Sequence, residues 1–279
     1  MRSFVKTAAA LALALVMSPV LVAQWPAFPT RGVPRTADGA PDLAAPVPRT
    51  ADGMPDLSGI WDYAGVLGFR DKPSYPPAGS PPLATFWNIE LNVEGGLPLH
   101  PWAAELRKRR MADNSKDNPD AWCLPLGIMQ LHTHSQPKKI VQTPDLIVIL
   151  NEANAGVRQI FLDGRPAPDN DPQPWWFGYS RGRWEGDTLV VETTNLRDDG
   201  WLDVDGAPLT AAARVTERFR RLNFGNLQID VTIDDPKAYT RPWTVRVNQE
   251  ILLDTDLIEF VCQENERFTS RLGRQNGPR

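Results

Sequence analysis

Two glutamates set the first chemical question. Along Thr188-Leu189-Val190-Val191-Glu192-Thr193-Thr194 the side chains of a strand would alternate, so Glu192 shares a face with Thr188, Val190 and Thr194. By the same rule Glu217 shares a face with Val215 and Phe219. A carboxylate among apolar strand neighbours points into solvent or into a cavity, where burial raises its pKa and suits it to proton transfer. Two such groups about 5 to 9 Å apart would serve as acid and base, or acid and nucleophile, on a glycosidic bond. Glu192, Glu217 and Asp203 are therefore the catalytic candidates of a hydrolase or lyase, with Asp234-Asp235 as a further pair. The competing reading is structural: ion pairs to Arg218, Arg220 and Arg246 on adjacent strands.

The aromatic residues pose the second question. Ten tryptophans in 279 residues is a high density, and a tryptophan buries a large area while keeping one N–H that wants a partner. Trp175, Trp176, Tyr179 and Trp184 lie together, and Trp201 and Trp243 fall near later strand ends. Such clusters mark core seams or platforms on which sugar or aromatic rings stack. Trp176, Tyr179, Trp184 and Trp243 are the candidate ligand-binding residues.

Other chemistries find less support. His132 and His134 would project from one side of a strand, with His100 as a third nitrogen for zinc. The third spacing is unconstrained and the segment before Ser135-Gln136-Pro137 reads as loop, so no metal is expected. No Gly-x-Ser-x-Gly turn marks a serine nucleophile, and no motif announces a cofactor. Neither cysteine has a histidine close in sequence, which disfavours a thiol nucleophile.

The elements that must position these residues are strands. Segments beginning at Trp175 and Thr188, then Val215 to Arg221, Leu227 to Ile233, Trp243 to Leu253 and Leu257 to Cys262, alternate in hydropathy and end at turn signals such as Glu185-Gly186. Leu57 to Tyr63, Lys139 to Gln142 and Val157 to Leu162 extend the series, and Phe86 to Leu91 fits a strand or edge piece. Leu146-Ile147-Val148-Ile149-Leu150 is apolar on both faces and should be a fully covered central strand. Pro101 to Met111 is the one convincing helix, with Pro in its first turn. Its basic run Arg107-Lys108-Arg109-Arg110 reads as a solvated face. About ten strands and one short helix predict a mostly β domain over 55–270, an antiparallel meander closed as a barrel or packed as two sheets.

Outside that domain the chain reads differently. Residues 1–23 have the order of a secretory leader: Arg2 and Lys6, an apolar run from Ala8 to Val16, then a small residue at Ala23. The run is too short to span a bilayer, so no integral membrane segment is expected once it is removed. An exported chain with two cysteines predicts one disulfide, Cys123 to Cys262. Residues 24–54 form a Pro/Ala-rich linker carrying a tandem copy, Pro34-Arg35-Thr36-Ala37-Asp38-Gly39-Ala40-Pro41-Asp42-Leu43 and Pro48-Arg49-Thr50-Ala51-Asp52-Gly53-Met54-Pro55-Asp56-Leu57. Residues 271–279 read as a flexible tail. Losing Arg2 and Lys6 with the leader takes the formal net charge from −4 to −6. This balance disfavours nucleic acid and anionic membranes as partners.

Four motifs in order carry a resemblance: Pro55-Asp56-Leu57-Ser58-Gly59-Ile60-Trp61, Gly182 to Thr193, Val215 to Arg221, and Val231 to Trp243. Together they resemble a family of exported bacterial proteins with no assigned biochemical activity, over nearly all of the chain from residue 55. Members often read Gly-His-Pro-His where this chain has Gly206-Ala207-Pro208-Leu209, so chemistry resting on those histidines is closed to it. Gly59-Ile60-Trp61 is also similar to the Gly-x-Trp that opens lipocalin-like barrels, which implies a barrel with a ligand cavity. The expectation is an exported, periplasmic or extracellular protein that binds a small ring-containing ligand, a glycan or an aromatic, in an aromatic-lined cavity. The alternatives are the carboxylate-pair hydrolase or lyase and a structural envelope protein without a pocket.

Overall fold

Alternating burial builds a closed wall. In Asn226–Asp234 the side chains of Leu227, Ile229, Val231 and Ile233 are buried and those between them are half-exposed, the pattern of a strand with one face on a core. The computed structural model describes residues 28–65, 68–69, 72–73, 79–168, 175–262 and 264; the expected leader over 1–23 and the expected tail over 271–279 lie outside them. Nine strands make the barrel: β1 Gly59–Tyr63, β2 Lys138–Gln142, β3 Leu146–Asn151, β4 Val157–Phe161, β5 Tyr179–Glu185, β6 Thr188–Thr194, β7 Arg214–Arg221, β8 Asn226–Asp234 and β9 Trp243–Leu252. Neighbours follow chain order from β2 to β9, and β1 closes the ring between β9 and β2.

The odd strand number has a geometric consequence. A closed sheet in which every neighbour runs antiparallel needs an even count, so nine strands force a parallel joint. That joint is β4–β5, held by only two residue pairs, Ile160 with Ser180 and Phe161 with Arg181. A parallel pair sets the end of β4 and the start of β5 at opposite ends of the joint, which a tight hairpin cannot connect.

The lumen is filled with side chains. Trp61, Ile147, Ile149, Ile160, Leu189, Val191, Phe219, Val231 and Val247 form one buried cluster. Trp61 places its indole N–H on Leu57 O at 3.0 Å. Between β1 and β2 the chain leaves the barrel to form α1, Pro101–Ala112, a 3-10 turn at Pro119–Trp122, and α2, Ile128–Thr133. All six residues of α2 are buried. A disulfide joins Cys123 to Cys262 with a Cα–Cα distance of 5.5 Å, tying the chain after β9 to this excursion.

Several expectations are revised. Phe86 to Leu91 is a succession of turns, with Thr85 Oγ1 bonding the Asn88 N–H at 3.1 Å, an arrangement that competes with strand pairing. Leu257 to Cys262 is irregular, because Asp254 in the left-handed region (φ 55°) turns the chain out of the β9 ladder. On β3 only Ile147, Ile149 and Asn151 are buried, and the outward Leu146, Val148 and Leu150 are half-exposed, so it is a wall strand and not a covered central one. The short α2 lacks the length for a periodic signal and escapes sequence reading. In α1, Arg107 is buried beside Glu90 at 2.6 Å and Arg110 lies over the Trp201 ring at 4.2 Å; only part of the basic run is solvated.

The tandem copy is ordered. Thr36 N–H bonds Ala40 O, Gly39 N–H bonds Thr36 O and Asp42 N–H bonds Pro34 O, and Thr50, Gly53 and Asp56 repeat these three bonds fourteen residues later, all at 2.8–3.0 Å. Gly39 (φ 87°) and Gly53 (φ 82°) hold the conformation that a side chain would strain. The second turn is clamped by two hydrogen bonds from Arg49 to Asp187, 2.6 and 2.7 Å. Leu43 O and Ala45 O accept from the N–H groups of Gly225 and Phe224, both at 2.8 Å. Over its described residues, the segment read as a linker is docked on the barrel.

Candidate functional site

The strand alternation that makes Glu192 and Glu217 candidates also separates them. Glu217 pairs in register with Val191, one residue from Glu192, and points inward; Glu192 pairs with Thr216 and points outward. The barrel wall lies between the two carboxylates, so they cannot flank one bond. Glu192 faces Arg183 at 3.3 Å and Arg214 at 3.1 Å. Asp203 is fully buried elsewhere, accepting the N–H groups of Ile89 and Ala207 at 2.8 Å each. Burial pushes its carboxyl up, against the pull of those donors. Its visible work is to fix the turn that leads into Pro208–Leu209. Asp235 likewise accepts the N–H and hydroxyl of Thr210, at 2.8 and 2.9 Å.

Glu217 is the hub of a polar network inside the barrel. Burial tends to raise its carboxyl, but the Arg158 charge and hydrogen bonds, helped by His132, outweigh this and hold it at about 2. Arg158 donates through Nη1 to Glu217 Oε1 at 2.9 Å and through Nη2 to Oε2. The same guanidinium reaches Ser180 Oγ at 3.1 Å and Thr193 Oγ1 at 3.0 Å. His132 comes from α2 and lies 2.6 Å from Glu217 Oε1 through Nε2. Burial holds this imidazole below its ordinary pKa, against the pull of Glu217. With Glu217 ionised, Nε2 must carry the proton, which leaves the buried Nδ1 as a lone pair without a partner. Lys138 Nζ donates nearby to Gln249 Oε1 at 2.8 Å, and burial pushes it down to about 7. His100 stands at the N-cap position of α1 with no capping bond from its side chain, and His134 rests edge-on against Phe86. Among the described residues no three His, Cys, Asp or Glu gather as a metal site.

The aromatic candidates divide. Trp243 is buried against Tyr239, with ring centroids 5.4 Å apart and its indole N–H unpartnered. Trp184 is inward on β5 and packs against the core. Trp176 and Tyr179 instead line a hollow of about 390 Å³ outside the β4–β5 joint. Phe161, Trp175 and Phe177 complete its aromatic wall, and Arg158 and Ser180 reach it from the interior network. Phe161 stacks on Tyr179 at 5.1 Å, and Trp175 meets Tyr179 edge-on at 5.7 Å. Gly178 sets the approach of this run: at φ +63° a Cβ would stand 2.5 Å from Thr193 Cγ2 and 2.6 Å from Thr194 O. Only glycine lets the chain enter β5 so close to β6.

Trp176 also borders a second hollow of about 510 Å³, shared with Trp122 and Trp201 and with charged groups that include Arg109, Asp117 and Asp199. Arg197 lies over the Trp176 ring at 4.4 Å and pairs with Asp199 at 3.0 Å. Sequence reading groups Trp176 with Tyr179 through their clustering. Phe161, Trp122 and Trp201 lie far off in sequence and join the belt only through barrel closure and the α1 excursion.

Comparison of the chain with family models, with curated proteins and with solved structures yields no match. The closed barrel is compatible in outline with a lipocalin-like barrel, with Gly59-Ile60-Trp61 on its first strand. Its aromatic hollows lie outside the wall. Among the described residues no helix is long and apolar enough to cross a membrane.

Proposed function

We propose that this is an exported binding protein whose aromatic belt outside the β4–β5 joint takes a small ring-containing ligand, a sugar or an aromatic. The observation that carries the reading is Trp176, which stands between two hollows, each walled by further aromatic side chains. Rings stack on such faces, while the flanking Asp199, Asp117 and Arg109 suit hydroxyl groups. The disulfide accords with an oxidising compartment. The separation of Glu192 from Glu217 by the barrel wall leaves the hydrolase or lyase reading without its carboxylate pair.

Intrinsic fluorescence titration against oligosaccharides and aromatic metabolites tests the reading. A saturable change is expected, and Trp176→Ala should weaken it about tenfold or more, the worth of roughly 1.4 kcal/mol of lost stacking. Silence across the panel, or binding untouched by Trp176→Ala, overturns it.

A further inference from the structure

Beside the seam hollow lies a smaller one of about 280 Å³, and Phe161 lines both. Its walls are Arg165, Arg181 and Arg183 with a single carboxylate, Glu192. On a chain of net charge −4 this is a local excess of positive charge. The pairing around it is unbalanced. Glu192 faces three guanidiniums, Arg214 at 3.1 Å, Arg183 at 3.3 Å and Arg181 at 4.0 Å. Arg183 also reaches Glu185, which is shared with Arg218 at 3.1 Å. The Arg181 side chain is 38% exposed and approaches Glu192 only to 4.0 Å, the longest of the three contacts. Arg165 is clamped by Asp163 at 2.8–2.9 Å and lies over the Phe161 ring at 4.2 Å. One edge of the aromatic wall is thus lined with guanidinium donors.

We infer that the ligand is anionic: a ring seated in the seam hollow that Phe161 borders would carry a carboxylate into the adjoining Arg165, Arg181 and Arg183 hollow, as the uronate units of an acidic glycan do. The inference rests on the aromatic belt being a binding site. Exposed ion pairs such as Arg183–Glu192 contribute little and are readily exchanged, whereas a guanidinium can take an incoming carboxylate with two parallel hydrogen bonds. Glu192 competes for the same donors and tunes the site downward.

The test pairs glucuronate, galacturonate and mannuronate tetramers with their carboxyl-reduced neutral counterparts, read by tryptophan fluorescence and calorimetry. At least one uronate should bind, and more tightly than its neutral partner. Arg181→Gln with Arg183→Gln should weaken it about 10- to 100-fold, the worth of a lost charged hydrogen bond. Glu192→Gln should act in the opposite direction and strengthen uronate binding, which keeps the test alive if the double variant fails to fold. Neutral sugars bound as well as uronates, or uronate binding indifferent to all three substitutions, refutes the anionic preference and leaves the belt standing. Uronate binding lost in the arginine variants but unaffected by Trp176→Ala refutes the belt instead. Silence from every uronate refutes the preference, and silence from aromatics and neutral sugars as well refutes both.

Discussion

Lys138 offers the sharpest measurement of the barrel interior. It points inward on β2 opposite Trp61, is 2% exposed, and donates to two neutral acceptors, Gln249 Oε1 at 2.8 Å and His132 O at 3.4 Å. Burial lowers its pKa to about 7, with Asp62 as the opposing influence. An unfolded lysine titrates near 10.4, so between these two values the unfolded chain holds more protons than the native one. Stability must therefore rise with pH across that window, and below about 7 the folded protein carries the full cost of a buried ammonium. Lys138→Met removes the titration. It also costs Gln249 Oε1 its donor, a penalty of about 1 to 3 kcal/mol that does not vary with pH; His132 O keeps Gln249 Nε2 at 2.6 Å. At about 1.4 kcal/mol per pH unit above 7, the native protein should gain about 2.7 kcal/mol on Lys138→Met between pH 6 and pH 9. Urea unfolding of both proteins at pH 6, 7, 8 and 9, at constant salt, gives the difference directly. A difference that stays flat within about 0.5 kcal/mol over that range would show that the amine is solvated or paired, and the reading of a desolvated amine fails.

Two other perturbations follow from the same interior and its staple. Glu217→Gln strands the Arg158 guanidinium in the lumen and should cost about 3 to 5 kcal/mol at pH 7 in denaturant unfolding. Because Glu217 is held at about 2, its contribution is complete above about pH 4.5 and fades as pH falls toward 2, so the gap between native and variant should shrink on acidification; a loss under about 1 kcal/mol at pH 7 contradicts the pairing. Replacing Cys123 and Cys262 by Ser opens a loop spanning 139 residues. It should cost up to about 5 kcal/mol by the chain-entropy account, with residues 257–262 becoming the first site of limited proteolysis, and an unchanged unfolding midpoint counts against the staple.

Much of the barrel is legible in the sequence because a one-sided strand advertises itself. Leu227, Ile229, Val231 and Ile233 alternate with polar residues, and Trp243, Val245 and Val247 of β9 do the same, so these inward faces can be read before any pairing is known; on β7 the inward face mixes Val215 and Phe219 with Glu217 and Arg221. The same alternation places Glu192 and Glu217 on their correct strand faces. What it cannot reveal is which face of one strand matches which face of the next, because that depends on register across the Glu185–Gly186 hairpin and the β6–β7 connection. Cys123 and Cys262 are matched by count and by the expectation of export alone. His132 and Arg158 are hidden for another reason: their partner Glu217 lies 85 and 59 residues away, and no local pattern announces a contact at that range. The Phe161 wall is hidden likewise, since it exists only where a parallel joint brings β4 beside β5.

That joint is also where the barrel should breathe. Two residue pairs hold β4 to β5, against eight between β7 and β8, so local opening there breaks the fewest ladder bonds and its amides should exchange with solvent earliest. Whatever lodges against Phe161 of one strand and Tyr179 of the other spans the joint like a dowel. Its binding energy is then also closing energy for the barrel, and occupancy should slow exchange at Ser180 and Arg181 more than anywhere else in the wall.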